Sequence, residues 1–319
     1  MTMREMQIFL EVARTLNMST AGKSLYLSQS TVSQSILNIE RRYNVQLFRR
    51  QSKHLILTKQ GKILQDYCHQ ILELHRRLEY DLQHTGEKSL RIGTNLIVAR
   101  SIFGELWNAY HLVCPDVQTK VSLEENEALL LKLQNFELDS VIIDRECNIP
   151  ELVCREIADD EYFLICGTKS HFFNCKEARL ADLKDENFFM LARANPTRDY
   201  FEQSFHDHHL EPRTIDFNNI DIIKSKVIAN EGISVMASGQ FKVEAKLGYL
   251  RGISLPEIKF RRHFYEIHHK DLHILPHIQS YLDTCMFRSI TEFSCLNGTL
   301  FLSVWMTKPR AAFLKIDPE

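Results

Sequence analysis

Apolar residues near the start of the chain recur at helical spacing in three short stretches. The first stretch predicts an amphipathic helix with an apolar stripe of Met6, Phe9, Leu10, Ala13 and Leu16. Ser19 is predicted to cap a second helix that runs through Tyr26. Ser28 is predicted to cap a third helix, which faces inward with Val32, Ile36 and Ile39. This pattern predicts a small, mainly helical head.

The opposite face of the third helix is polar, and its residue types suit the reading of bases. Glutamine and asparagine amides can bond an adenine edge, while hydroxyls and helix N-terminal amides hold phosphates. The side chains predicted to face DNA are Gln29, Ser30, Thr31, Ser33, Gln34 and Asn38. For an isolated helix, a merely solvated face is an equally good interpretation. The two helices before it and the hairpin after it favour DNA binding.

A hairpin with a basic tip follows the third helix. Residues 45–48 supply apolar anchors, residues 49–54 form the tip, and residues 55–57 return. We expect this hairpin to be a wing along the DNA backbone or minor groove. The predicted phosphate contacts are Arg50, Lys53 and His54.

The distribution of charge supports a polyanionic partner for the head alone. Residues 1–62 contain ten Lys or Arg and three acidic residues, a net charge of +7, in a chain whose net charge is −2. The remaining residues therefore carry 29 basic and 38 acidic groups. A basic head on an acidic body is typical of a nucleic-acid-binding segment joined to a different domain.

A long amphipathic helix is predicted from Thr58 to about Gln83. Its apolar residues repeat at heptad spacing, with Leu64, Ile71 and Leu78 on one seam and Tyr67 and Leu74 on a second. Packing of this helix on its own domain is the simpler interpretation. Its place directly after the wing favours a dimerisation helix, which would present two heads to a palindromic site. Residues 84–89 are predicted to be a short hinge.

From Leu90 onward, strand patterns alternate with helical patterns. Strands are predicted at 90–94, 117–123 and 140–144, and helices at 102–113 and 128–133. This alternation predicts open, mainly parallel sheets with helices on both faces. Ligands of such sheets collect at the carboxyl ends of the strands.

The residues of the head resemble the DNA-binding domain of the LysR-type transcriptional regulators. The matching positions are Phe9, Ala21, Leu25, Leu27, Ser28, Gln29, Val32, Ser33, Ile36, Glu40, Leu47, Phe48, Arg50, Leu57, Thr58 and Gly61. A weaker resemblance extends over residues 90–288 through residues 90–93, Leu138-Asp139 and 227–236. It implies a multidomain chain: an N-terminal all-α winged helix-turn-helix with a long linker helix, then an α/β two-lobed, periplasmic-binding-protein-like effector domain.

The resemblance also implies domain boundaries and partners. The winged helix-turn-helix would span 1–60, the linker helix and hinge 61–89, and the effector domain 90–290, with an atypical extension at 291–319. Lobe one would comprise 90–163 and 269–290, and lobe two 164–268. The implied partners are double-stranded promoter DNA, a small-molecule effector and further copies of the chain in a homodimer or homotetramer. RNA polymerase is a candidate partner.

Effector contacts are implied at three places in the matched pattern. Ile97 stands where the family commonly has Ser or Thr, and Asn95 and Ser101 are polar alternatives beside it. Arg100, near a helix N-terminus, would suit an anionic metabolite, although an exposed surface arginine explains it equally well. The other predicted contacts are Asn195, Thr197 and Asn218.

Several other functions are weighed against regulation. A small-molecule enzyme fused to a DNA-binding domain is one alternative, but no phosphate loop, nucleophile elbow or zinc-protease motif is present. An architectural DNA protein is another, which the large acidic body disfavours. Histidines at 206–209 and 268–277 are poorly spaced for a metal, so neither metal nor cofactor is predicted.

The cysteines leave open a redox-sensing regulator. Cys147 and Cys154 flank one loop and form a conceivable redox pair. The eight cysteines contain no CxxC pair, which favours reduced thiols in a cytoplasmic protein. We predict no membrane span and no signal peptide. The apolar segment 300–306 is predicted to be a strand, a dimer contact or part of an extension.

Overall fold

A computed structural model of the protein describes residues 1–51, 54–192 and 196–286. The helices are α1 Met3–Thr15, α2 Met18–Ser24, α3 Gln29–Tyr43, α4 Lys59–Gln83, α5 Leu96–Val98, α6 Gly104–Val113, α7 Asn126–Gln134, α8 Pro196–Asp207, α9 Ile220–Ile228, α10 Lys242–Lys246 and α11 Pro276–Met286. The strands are β1 Phe48–Gln51, β2 His54–Leu57, β3 Lys88–Thr94, β4 Val117–Leu123, β5 Ser140–Ile143, β6 Leu152–Gly167, β7 Asn187–Leu191, β8 Arg213–Phe217, β9 Ile233–Ala237, β10 Leu250–Ile253 and β11 Arg261–His269.

The described chain divides into two units. The first contains residues 1–163, 236–240 and 258–286, and the second contains 164–235 and 241–257. β6 and β9 contribute residues to both units. Residues 258–268, which the sequence assigned to lobe two, belong to the first unit because β11 pairs with β5 there.

The head of the first unit is built from α1–α4 and the β1–β2 hairpin. The predicted stripes of α1 and α3 meet in one core, where Phe9, Val32 and Ile36 are almost fully buried. The capping of α3 by Ser28 is as predicted, because its Oγ accepts the backbone N–H of Thr31 at 3.1 Å. Asn17 rather than Ser19 caps α2, because the helix already begins at Met18 and Ser19 lies inside its first turn. The Asn17 Oδ1 accepts the backbone N–H groups of Ser19 and Thr20.

The helix α4 begins after its cap Thr58 and ends at Gln83, as the heptad pattern predicts. The two predicted seams are not equivalent. Leu64 and Ile71 pack with buried Cys68 into the core of the head. The exposed apolar stripe of α4 consists instead of Ile63, Tyr67, Leu74, Leu78 and Leu82. The heptad pattern alone cannot tell the residues that pack in the head from the exposed stripe, because one helix carries both.

The sheet of the first unit is mixed rather than mainly parallel. β3 pairs in parallel with β4 and β5, whereas β11 runs antiparallel to β5 and β6. The helices α6 and α11 pack with its strands in one core cluster, and α7 packs in another. This arrangement brings the carboxyl ends of β3, β4 and β5 to the same edge.

In the second unit, β7 lies between β8 and β9 and is parallel to both. β10 runs antiparallel to the end of β6, with Leu250 opposite Gly167. Phe188, Phe201 and Phe205 are buried and belong to this unit's apolar interior. No helix in the described part of the chain has the length and apolar character needed to cross a membrane.

Candidate nucleic-acid interface and effector site

The N-terminus of α3 carries a cluster of hydroxyl groups. The Oγ atom of Ser28 lies 2.7 Å from the Ser30 Oγ and 2.8 Å from the Thr31 Oγ1. All three residues are exposed, as is Gln29. Hydroxyls joined to the positive end of a helix dipole form a surface suited to a phosphate oxygen.

One turn further along α3, two predicted base-reading residues contact one another. The Gln34 Nε2 donates to the Asn38 Oδ1 at 2.9 Å, and both side chains are exposed. The Oε1 of Gln34 still offers an acceptor, and the Nδ2 of Asn38 still offers donors. The pair therefore presents both kinds of hydrogen-bonding group to a DNA groove. Ser33 is only half-exposed at the margin of this face.

The wing is a two-stranded antiparallel hairpin in which Gln51 lies opposite His54. Arg50 is exposed on β1. Lys53 and the His54 side chain lie outside the described residues. Glu40, which sequence reasoning named only as a family match, fixes the hairpin to α3: its Oε1 accepts the N–H groups of Leu47 at 2.7 Å and Phe48 at 3.3 Å.

Tyr26 is a residue of this surface that sequence reasoning missed. It lies in the turn between α2 and α3, its side chain is 96% exposed, and its φ angle is +57°. A left-handed conformation is uncommon for an aromatic residue. Its position could have indicated it in the sequence, because a large aromatic residue in the turn of a helix-turn-helix is not part of the apolar stripes that form the core.

The first predicted effector contact, Asn95, is used inside the first unit. It caps α5 by accepting the Val98 N–H at 2.9 Å, and its Nδ2 donates to Asn126 at 2.8 Å and to Asp144 at 2.7 Å. These three residues follow β3, β4 and β5, so their side chains form a polar ring at the carboxyl edge. The Arg262 Nε lies 3.9 Å from the other carboxylate oxygen of Asp144.

Ser101 is likewise committed to a protein partner. Its side chain is 2% exposed, and its Oγ donates to the Oδ2 of Asp160 at 3.0 Å. The Oδ1 of Asp160 accepts the Ser238 Oγ at 2.6 Å, and the Gly239 N–H lies 3.2 Å from both oxygens. Burial raises the pKa of Asp160, and these hydrogen bonds oppose that effect. Asn95 and Ser101 are therefore positioning residues in this structure, because their polar atoms bond the protein.

The other residues predicted to contact the effector differ in burial and in the unit to which they belong. Ile97 packs against the core of the first unit, while Arg100 is exposed in a π-helical turn at 99–103. In the second unit, Thr197 is half-buried and Asn218 is exposed between β8 and α9. Asn195 lies outside the described residues.

The predicted cysteine pair and one of the clustered histidines bond groups of the protein. The N–H of Cys147 donates to the Cys154 Sγ at 3.4 Å, and burial raises the pKa of Cys154, which disfavours the reactive thiolate. His277 instead bonds the Ser89 carbonyl at 2.8 Å. Among the residues that the structure describes, no three His, Cys, Asp or Glu side chains converge as metal ligands would.

Comparison with known proteins decides the family. Residues 3–62 match the model of the bacterial regulatory helix-turn-helix proteins of the lysR family, and residues 83–287 match that of the LysR substrate binding domain. The chain belongs to the LysR family. This LysR-type protein is a ligand-responsive, DNA-binding transcriptional regulator, as its two matched domains together require.

Relatives of this LysR-type regulator match most of its length. It is 28% identical over 278 residues to the HTH-type transcriptional regulator CbbR of Rhodospirillum rubrum, covering 86% of this chain and 92% of that one. It is 26% identical over 285 residues to CfxR of Cupriavidus necator, covering 88% and 89%.

Solved structures show the same fold. CbnR in complex with its target DNA has a TM-score of 0.59 at 18% identity, with 91% of this chain and 100% of that chain covered. Full-length OxyR from Pseudomonas aeruginosa has a TM-score of 0.60 at 18% identity, with 89% and 94% covered. The multidomain architecture expected from the sequence, a winged helix-turn-helix joined to an α/β effector domain, is thus confirmed.

Proposed function

We propose that this regulator reads DNA with the exposed polar face of α3 and holds the phosphate backbone with the start of α3 and the wing. The observation that carries this proposal is the continuous polar surface from the Ser28–Ser30–Thr31 hydroxyls to the Gln34–Asn38 amide pair. Every predicted base-reading residue of α3 except half-exposed Ser33 is exposed on it. Gln29, Ser30 and Thr31 would serve the phosphate or first base, and Gln34 and Asn38 the base edges.

The wing would add sequence-independent affinity. Arg50 is exposed on β1, and Glu40 holds that strand against α3. Lys53 and His54 are proposed to act with Arg50, since they follow it within four positions of the chain. Tyr26 is proposed as an additional backbone contact, because its exposed ring precedes the N-terminus of α3.

Salt dependence tests the proposed phosphate contacts. The full chain is titrated with the DNA upstream of its own gene at several salt concentrations, and bound DNA is footprinted. Replacing Arg50 with alanine should lower the salt-dependence slope by about one and weaken all sequences to a similar degree. The matched control is Lys120→Ala, which removes one exposed positive charge on β4. Sequence-indifferent coating by the wild type would contradict specific reading.

Self-association through α4 completes the DNA-binding unit. The exposed stripe of five large apolar side chains runs along most of the helix. Such a stripe on a soluble helix calls for a partner, and a second copy would bring two recognition helices to a palindrome. Leu78→Glu should shift the chain toward monomer in analytical ultracentrifugation, whereas Glu79→Gln on the neighbouring exposed position should not.

The effector is proposed to bind at the carboxyl edge of the first unit. The ring of Asn95, Asn126 and Asp144 shapes this edge, and exposed Arg100 supplies positive charge. A small carboxylate would pair with that guanidinium. Ile97 remains a proposed contact at this edge, and Ser101 would act on it only through its bond to Asp160. The predictions for Asn195, Thr197 and Asn218 stand separately from this edge.

A thermal-shift screen of metabolite carboxylates and amines tests this site. Arg100→Ala should abolish the shift given by a carboxylate ligand, while Lys120→Ala should preserve it. An undiminished shift in Arg100→Ala would place the ligand elsewhere. We further propose that the ligand is bound and released unchanged, because no catalytic motif occurs in the sequence. Mass spectrometry of the recovered ligand checks this, and turnover would favour the fused-enzyme alternative.

A further inference from the structure

The linker helix α4 is joined to the sheet domain of its own chain by a buried ionic network. The Arg77 Nη1 on α4 donates to the Oδ1 of Asp139, which precedes β5, at 2.5 Å. The Arg91 Nη1 on β3 donates to the Glu73 Oε1 on α4 at 2.7 Å. Charge pairs thus cross the junction in both directions.

The side chains of this ionic network are largely buried. The Asp139 side chain is 1% exposed, and those of Arg77 and Arg91 are each 14% exposed. Asp139 also accepts the Arg91 backbone N–H at 2.8 Å, while the Arg91 Nη2 donates to the Phe136 carbonyl at 2.8 Å. Asp139 is therefore held rigidly within the sheet domain, and Arg77 is the part that comes from the helix.

The side-chain contacts described at this junction are polar. The apolar residues of α4 that pack in a core cluster do so in the core of the head, and none of them belongs to the two clusters described for the sheet domain. A groove of about 640 Å³ lies beside the junction, lined by α1, α4 and Glu137. The Gln70 Nε2 on α4 also donates to the Gln134 carbonyl at 3.1 Å.

The covalent connection beside this junction is short and contains a pliable point. α4 ends at Gln83 and β3 begins at Lys88. Gly86 between them has a φ angle of +97°, and a side chain there would meet nothing within 4 Å. Rotation at this glycine would swing the head and α4 as one arm, because the core of the head includes residues from α4.

We propose that Arg77 and Asp139 form a latch that fixes this arm on the sheet domain and so sets the angle at which the head is presented to DNA. A polar junction beside a flexible connection can exchange between a closed and an open state, because water can solvate its charges once they part. An apolar junction would expose apolar surface on opening. The effect of the latch on DNA binding rests on the proposed pairing of two heads. In such a pair, the angle between α4 and the sheet domain would set the spacing of the two recognition helices.

The distance between α4 and the sheet domain tests the latch directly. Spin labels are attached through an unnatural amino acid at Asp66 and Gln118, two exposed positions, in the full chain diluted with unlabelled protein. The wild type should give one narrow distance distribution. Arg77→Ala should add a longer-distance population, and Arg77→Lys should add a smaller one because the charge remains.

Arg14→Ala is the matched control. Arg14 is 68% exposed and bonds Glu11 on its own helix α1, so it makes the same kind of contact without touching the network. Its removal should leave the narrow distribution unchanged. A narrow distribution in Arg77→Ala, checked as folded by circular dichroism, would overturn the latch.

A footprint separates this inference from the proposed function. If the latch sets the spacing of paired heads, Arg77→Ala should protect one half-site normally and lose protection of the second. An unaltered footprint together with an altered distance would refute the link to DNA. A wild type that lacks any specific footprint would defeat the proposed function, while the distance measurement would still decide the latch.

Discussion

The head and the sheet domain of the first unit use polar residues in opposite ways. On α3 most of the polar side chains are exposed, and two of them, Gln34 and Asn38, bond one another at the surface. In the sheet domain Asn95, Asp139 and Asp160 are buried and bonded within the protein. The difference teaches that exposed polar groups on a rigid frame are available to a partner, whereas buried ones maintain the frame.

The largest expected effect comes from a buried charge. Asp139→Ala leaves Arg77 and Arg91 without their common carboxylate in a poorly hydrated place. Removal of one partner from a buried ionic network costs roughly 3–5 kcal/mol of unfolding free energy. Urea denaturation of the full chain, monitored by circular dichroism, would measure this loss. A change below about 1 kcal/mol would contradict the view that buried polar groups maintain the frame of the sheet domain.

The second prediction concerns the exposed amide pair of α3. Gln34→Ala should weaken binding to the operator by roughly 1–3 kcal/mol while changing stability by less than about 0.5 kcal/mol. Gln203→Ala is a matched control, since Gln203 donates to Asp207 at 2.6 Å in a similar exposed helical pair of the second unit. Gel-shift titration and thermal melting give both numbers. Equal loss of affinity in the two variants would contradict base reading by Gln34.

The third prediction uses pH to examine the buried carboxyl of Asp160. Burial raises the pKa of this group, so its protonated form is favoured by folding. Its contribution to stability is complete below the pKa of the unfolded chain and is lost as pH rises through the higher folded pKa. Asp160→Asn should therefore gain stability relative to the wild type as pH is raised from about 4.

Melting temperatures of the two chains across that pH range test the sign of this effect. Asparagine keeps the shape of the side chain and can still accept from Ser238 and Gly239. A difference that shrinks with rising pH would show that hydrogen bonding outweighs burial at this carboxyl.

The smallest effect is expected for an ion pair whose arginine is mostly exposed. Arg76→Ala removes a contact of 2.5 Å with Glu73, yet the arginine side chain is 61% exposed. Surface ion pairs of this kind contribute at most about 1 kcal/mol. Urea denaturation should place this variant close to the wild type. A loss as large as that of Asp139→Ala would mean that burial is not what distinguishes the two contacts.

The same contrast explains what could be predicted from the sequence. The stripes of α1 and α3, the cap Ser28 and the length of α4 depend on residues a few positions apart, so periodicity reveals them. The bond between Arg77 and Asp139 joins residues 62 positions apart, and no local pattern marks it. Likewise, the sequence shows Asn95 and Ser101 as polar residues that follow β3, but their partners are visible only in the folded chain.

The assignment of α4 shows the limit of periodicity most clearly. Leu64, Ile71 and Leu78 are equally spaced, yet the first two pack into the head while Leu78 is 56% exposed. A heptad pattern predicts that a helix has an apolar side. The fold determines which turns of that side pack against the rest of the chain and which remain exposed. The place of β11 in the first unit is hidden from the sequence for a related reason, because strand pairing does not follow order along the chain.

The packing of α4 residues into the core of the head has a consequence for how such proteins can be divided and recombined. Leu64, Cys68 and Ile71 complete that core. A chain cut at residue 60 would therefore expose an unfinished interior and lose much of its cooperativity in folding. A head transplanted onto another sensor should carry α4 as far as Gln83, and the natural seam for exchange is the glycine-containing connection that follows it.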